Sequence, residues 1–159
     1  MMVRTSEAFE AFDRTLNRDG VRESLAYLVG LTDYRFIGIW RFQDGSANAA
    51  VHFDKQNPEL TAATEVPDNA TYCCYVRDSK GVFMTADAML DPRTEGHPAR
   101  AAVPSYCGVP VMDSEGTLLG TLCHYDLVPR DPSTIDLELM LQVASTLARR
   151  DLVPPYPSP

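Results

Sequence analysis

The chain has 159 residues, 45% of them hydrophobic and 23% charged, and a formal charge of −8. That length and balance describe one folded domain, large enough to hold a core without disulfides or metal. The negative charge argues against nucleic acid and anionic membrane as partners, because both demand a basic footprint.

In chain order, Phe9, Phe12 and Leu16 recur at helical spacing, Asn17–Gly20 interrupts, and Val21, Leu25, Leu28 and Val29 resume the period. Two helices are predicted, with Asp19 as N-cap of the second. The period then changes. Tyr34–Phe42, rich in aromatic and β-branched residues, and Ala47–Phe53 read as a β-hairpin in which Gly45 supplies the positive φ. Residues 54–69 are polar and carry two prolines, which predicts a surface excursion with a short strand near Leu60. A short helix from Ala70 ends at Gly81 as C-cap, followed by a strand at 82–87 and a long loop with one helical turn after Pro98. Ser105–Met112 and Thr117–Asp126 form a second hairpin with Gly116 in the left-handed position. The last helix follows Pro132, and Ser133-x-x-Asp136 reads as its capping box. Its apolar positions form two stripes, Leu137, Met140, Leu141, Ala144, Ala148 and Ile135, Leu139, Val143, Leu147. That face is wider than the ~100° one sheet contact needs, so part of it is expected to pack on another subunit.

No apolar run approaches the ~20 residues of a membrane span. The opening "MMVRTSEAFEAFDRTL" has no apolar core of a signal peptide. The expected compartment is the cytoplasm, where Cys73, Cys74, Cys107 and Cys123 stay reduced. They form no CxxC pair, so no metal site is expected.

"YCGVPVMDSEGTLLGTLCHYDLVPR", Tyr106–Arg130, resembles the C-terminal half of a GAF domain: Gly-Val-Pro, a turn, Gly-Thr-Leu-Cys, an Asp, then Pro-Arg before the last helix. "TYCCYVRDSKGVFMTADAMLDPR" resembles the family's preceding segment and "YRFIGIWRFQDG" its first strand. The likeness covers about residues 20–150. It implies an α+β, GAF/PAS-like fold, with a central antiparallel five- or six-stranded sheet. The terminal helices lie on one face, and a ligand pocket lies on the other beneath the middle helix and the long loop. One GAF domain would span 1–152, followed by a Pro-rich tail, 153–159. Family members bind cyclic nucleotides, amino acids, haem, bilins or other small molecules, or serve as dimerisation modules, mostly beside kinase, cyclase or regulator domains. No such domain is present in this sequence. The domain is expected either to work alone or to pair with a kinase or regulator in trans, and to form a homodimer through its terminal helices.

Cys123-His124 is the pair that suggests chemistry. Strand parity sends the two side chains to opposite faces, so they cannot act on one atom or one metal. A mid-strand cysteine also lacks the helix N-terminus that would activate it. The stand-alone GAF enzyme to weigh is free methionine-(R)-sulfoxide reductase. Its pattern has Ser-Glu-Ile-Val before the conserved Pro and Asp-x-Asp in the last strand. This chain has Tyr106-Cys107-Gly108-Val109 and Cys123-His124-Tyr125 there. Losing both acids removes general acid catalysis worth about 10²–10⁴-fold. Bilin attachment to Cys123 fails on position, because the pigment cysteine lies before the final strand in phytochrome-like domains. His52, His97 and His124 show no metal spacing and read as partly exposed histidines. Asp87 and Asp91 read as turn caps and Trp40 as core.

The expectation is a non-catalytic sensory or regulatory domain in signal transduction that binds a small molecule or a protein partner. Its alternatives are the reductase and a haem- or bilin-binding sensor. By position on the resemblance, Tyr106, Thr121, Cys123 and Tyr125 form the pocket floor. Tyr72 and Cys73 close its roof, and His97 and Arg100 supply positive charge for a carboxylate.

Overall fold

The computed structural model describes residues 4–158; residues 1–3 and 159 of the expected domain and tail lie outside it. The helices are α1 (Thr5–Asp19), α2 (Val21–Gly30), α3 (Cys73–Ser79) and α4 (Leu137–Arg149). The strands are β1 (Phe36–Gln43), β2 (Ser46–Asp54), β3 (Val66–Pro67), β4 (Phe83–Thr85), β5 (Ser105–Met112) and β6 (Leu118–Asp126). The strands form one sheet in the order β3-β2-β1-β6-β5-β4, every pair antiparallel. This is the predicted α+β arrangement.

The two hairpins form where expected. Asp44 (φ 50°) and Gly45 (φ 82°) make a two-residue turn with both central residues left-handed, matching strand twist. Asp113 closes the second turn by accepting from the Glu115 and Thr117 N–H groups, each at 2.9 Å. Asp87 and Asp91 cap short 3₁₀ turns through the Met89 and Arg93 N–H groups, as their turn reading predicts. A helical turn follows Pro98, with the Val103 N–H donating to the Ala99 carbonyl at 2.8 Å.

Several boundaries differ, each for a local reason. Asp19 ends α1 rather than capping α2, because Gly20 (φ 94°) makes the break itself. The short strand of the excursion is β3, while Leu60 is exposed. α3 starts at Cys73 after a 3₁₀ turn, and Lys80 (φ 51°), not Gly81, takes the left-handed position. Ser133 belongs to a separate 3₁₀ turn capped by Asp131, and extended Ile135 breaks the path. Asp136 is therefore itself the N-cap of α4, accepting from the Leu139 N–H at 3.0 Å.

Alternation along β1, β5 and β6 divides the core in two. Ile37, Ile39, Cys107, Val109, Val111 and Leu122 face α1, α2 and α4, packing on Phe12, Leu25, Val29, Leu139, Val143 and Leu147. Each such buried apolar side chain contributes roughly 1.5–3 kcal/mol. Trp40, Tyr106 and Cys123 face the other way, against Tyr72, Cys73 and Val76 of the α3 region. No helix among the described residues is long and apolar enough to cross a membrane.

Candidate functional site

The α3 side of the sheet is shaped by two missing side chains. Register sets Cys123 between Gly38 of β1 and Gly108 of β5. Neither glycine has positive φ, so conformational freedom is not their reason. Space is. A Cβ at Gly108 would lie 2.6 Å from Tyr106 Cε1, and one at Gly38 3.1 Å from Trp40 Nε1. The Trp40 and Tyr106 rings thus lean over the two glycines on either side of Cys123.

α3 and the residue before it supply the roof. The Tyr72 hydroxyl donates to the Val103 carbonyl at 2.7 Å, and its ring meets Tyr106 edge-on at 5.5 Å. Cys73 Sγ lies 4.0 Å from Cys123 Sγ and accepts from the Tyr106 hydroxyl at 3.2 Å. Beside this contact opens a cleft of about 440 Å³. Trp40, Tyr72, Tyr106, Cys123 and Tyr125 wall it, with Leu127, Val103 and the excursion residues Ala63, Thr64 and Val66. Among the described residues its lining holds no charged side chain.

Four of the eight expected site residues, Tyr72, Tyr106, Cys123 and Tyr125, line this cleft. Cys73 and Thr121 are fully buried and do not reach its lining. His97 buttresses the roof: its ring packs 4.7 Å from that of Tyr72, and its Nδ1 accepts from the Ala99 N–H at 3.0 Å. Arg100 donates to the Ala88 and Met89 carbonyls at 2.9 and 3.2 Å, pinning the loop instead of offering charge to a ligand.

The sequence reading misses His52 and undervalues Trp40. Trp40 is both core and cleft wall. His52 is buried, not partly exposed, and its Nε2 is 2.5 Å from the Tyr125 hydroxyl. The cause is a bulge where Ile39 pairs with Val51 but Trp40 pairs with Ala49. The extra residue, Ala50, reverses the parity of β2 and turns His52 toward Tyr125. Nothing in the local sequence marks that bulge.

The site is electrically quiet. Burial lowers the His52 pKa and raises that of Tyr125, which keeps the pair neutral. Burial likewise pushes Cys123 well up. At Cys73 burial opposes ionisation, but the contacts from Cys123 and Tyr106 favour the thiolate, so that member of the pair ionises more readily. His124 points away, to the helix face, as parity requires. It too is buried rather than partly exposed, because Ala8, Leu28 and Leu139 of the terminal helices meet around it.

No protein-family model matches the sequence. A cyclic di-GMP phosphodiesterase of Pseudomonas aeruginosa is 41% identical over 71 residues, 43% of this chain and 12% of that protein. The chain thus matches about an eighth of that relative's length. Among solved structures, the GAF domain of an Acinetobacter phosphoenolpyruvate-protein phosphotransferase superposes with a TM-score of 0.71. That match is 14% identical and covers 94% of this chain and 93% of the other. This chain has the GAF fold. The phycoerythrobilin-bound GAF domain of a cyanobacterial phytochrome is similar at TM-score 0.70 and 16% identity over 96% of each chain. Free methionine-R-sulfoxide reductase from Neisseria meningitidis, in complex with its substrate, is similar at 0.66 and 17%, over 92% of this chain and 91% of that one. The GAF fold accommodates all three, so the cleft residues of this chain carry the functional argument.

Proposed function

We propose that this GAF domain is a sensory or regulatory module whose cleft binds a small, uncharged, largely apolar molecule. One observation carries the reading: the 440 Å³ cleft is walled by Trp40, Tyr72, Tyr106 and Tyr125, with no charged side chain in its lining among the described residues. That volume is in the ordinary range of ligand sites, about 300–1,000 Å³. Aromatic walls favour a flat molecule that stacks. A phosphate or carboxylate ligand would be desolvated there without a cation to meet it, at a cost of several kcal/mol. That argues against a cyclic dinucleotide and against a tetrapyrrole held through its propionates. The module signals as a homodimer through α1 and α4, to a kinase or regulator in trans. Native mass spectrometry of freshly purified protein tests the ligand. A neutral molecule released from the wild type and reduced in Tyr125→Ala supports the reading. A released anion or a coloured tetrapyrrole overturns it.

The thiol pair favours a second reading, reduction chemistry in the same cleft. Cys123 Sγ lines the cleft and lies 4.0 Å from Cys73 Sγ, so Cys123 would attack the substrate and Cys73 would resolve the intermediate. Among the described residues no carboxylate lines the cleft to protonate a leaving oxygen, so Tyr106 would have to do it. A thioredoxin-coupled assay on free methionine sulfoxide decides between the two. Turnover that disappears in Cys123→Ser would replace the sensory reading with the enzymatic one.

A further inference from the structure

The helix side of the sheet contains a second cleft, of about 310 Å³, over His124 of β6. Its walls are mainly apolar: Ala8 of α1, Leu28 and Leu31 at the end of α2, and Leu139 of α4. The other polar side chains around it are already engaged. Asp136 accepts from Thr5 Oγ1 at 2.6 Å and from the Leu139 N–H. Thr32 donates to the Val29 carbonyl at 2.9 Å, and Thr134 to that of Asp131 at 2.8 Å. His124 is the exception. It is 1% exposed, it lines the cleft, and neither ring nitrogen has a hydrogen-bonding partner among the described residues. Tyr34, edge-on to His124 with ring centroids 5.9 Å apart, has a buried hydroxyl that is likewise unpartnered.

Buried polar groups in folded proteins are nearly always paired, and one that is not calls for an explanation. One of the two, His124, lines an apolar cleft large enough for an organic molecule, and the other lies beside it. We infer that this helix-side cleft is a second binding site, for a small neutral molecule with an apolar body and one hydroxyl or amide head that hydrogen-bonds to His124. Neutrality follows from the walls, since Asp136, the one charged lining group among the described residues, has its oxygens committed to α4 and Thr5. A single head follows from the histidine. A neutral imidazole offers one donor and one acceptor, and a hydroxyl or amide answers either. Burial keeps the ring in that form by lowering its pKa. This site is separate from the concave cleft and does not depend on what that cleft binds.

The test uses phenol, which has the head, and toluene, which lacks it, titrated into protein carrying ¹⁵N-labelled histidine. Phenol should shift the His124 ring nitrogens saturably and leave His52, on the opposite face, unmoved. Toluene should bind more weakly, without a ring-nitrogen shift. Leu31→Trp, at a half-exposed rim position, narrows the entrance and should weaken phenol binding about tenfold or more. His124→Phe should erase the preference for phenol over toluene. The inference fails if His124 responds to water exchange alone and not to phenol. It also fails if Leu31→Trp leaves phenol binding unchanged, or if phenol moves only His52 and Tyr125.

Discussion

His124 sits neutral between the sheet and the terminal helices, and its protonation must displace that packing. Burial, with a smaller push from Lys55, lowers its pKa from 6.5 to about 3. The unfolded chain binds the proton between those values while the folded chain refuses it. The stability this histidine withholds from the unfolded state is therefore complete above pH 6.5 and is lost as pH falls toward 3. Asp54 has the same sign in a lower window, because its paired hydrogen bonds from Arg35, at 2.8 and 3.0 Å, hold its carboxyl at about 2. Urea unfolding at a series of pH values should show His124→Phe as stable as the wild type near neutrality, and more stable by roughly 2–4 kcal/mol toward pH 4. Parallel curves for the two proteins would show that His124 is not buried in this way. At this scale the sequence is legible wherever parity governs: Cys123 and His124 do point to opposite faces. It is not legible where a tertiary event decides, as in the closure of helices over His124 and the bulge that turns His52.

Gly120 shows why the Gly-Thr-Leu-Cys pattern identifies a strand pair rather than a chemistry. A Cβ there would lie 2.5 Å from the Trp40 carbonyl oxygen, a backbone atom that cannot swing aside. The pairing of β1 with β6 ends at this point, with Trp40 opposite Thr121. Gly120→Ala must therefore pry the two central strands apart, at about 1–3 kcal/mol. Gly30 is the control. It ends α2, and a Cβ there would meet nothing within 4 Å, so Gly30→Ala should be neutral or slightly stabilising. Thermal unfolding of the two variants gives the comparison, and equal midpoints would contradict the close approach. Among elements, the hairpins are the most legible, since Asp44-Gly45 and Asp113–Gly116 carry their turn chemistry in the sequence. Helix starts are the least legible. Ser133 and Asp136 are both good caps, and only the extended backbone at Ile135 shows that Asp136 is the one used.

The apolar face of α4 reads in the sequence as wider than one sheet contact needs, and most of its second stripe is core. Leu139, Val143 and Leu147 are buried against β5 and the other terminal helices. Leu141 remains, 44% exposed, in a groove with Phe9 of α1 and Leu137. If α1 and α4 pair two copies, Leu141→Asp should turn a dimer into a folded monomer in size exclusion with light scattering. A wild type that is monomeric at high concentration removes the dimer. The face is wide because more than one neighbour shares it: β5, β6 and α1 all contact this one helix. The Pro-rich tail turns back onto the domain. Arg41 donates to the Pro154 carbonyl at 2.9 Å, and the Tyr156 hydroxyl donates to Glu65 at 2.6 Å. Glu65 lies between Thr64 and Val66, two residues of the cleft wall. The outer wall of the cleft and the run-out from the last helix are thus strapped into one mechanical piece. Whatever reshapes that wall also resets the direction in which the chain leaves α4.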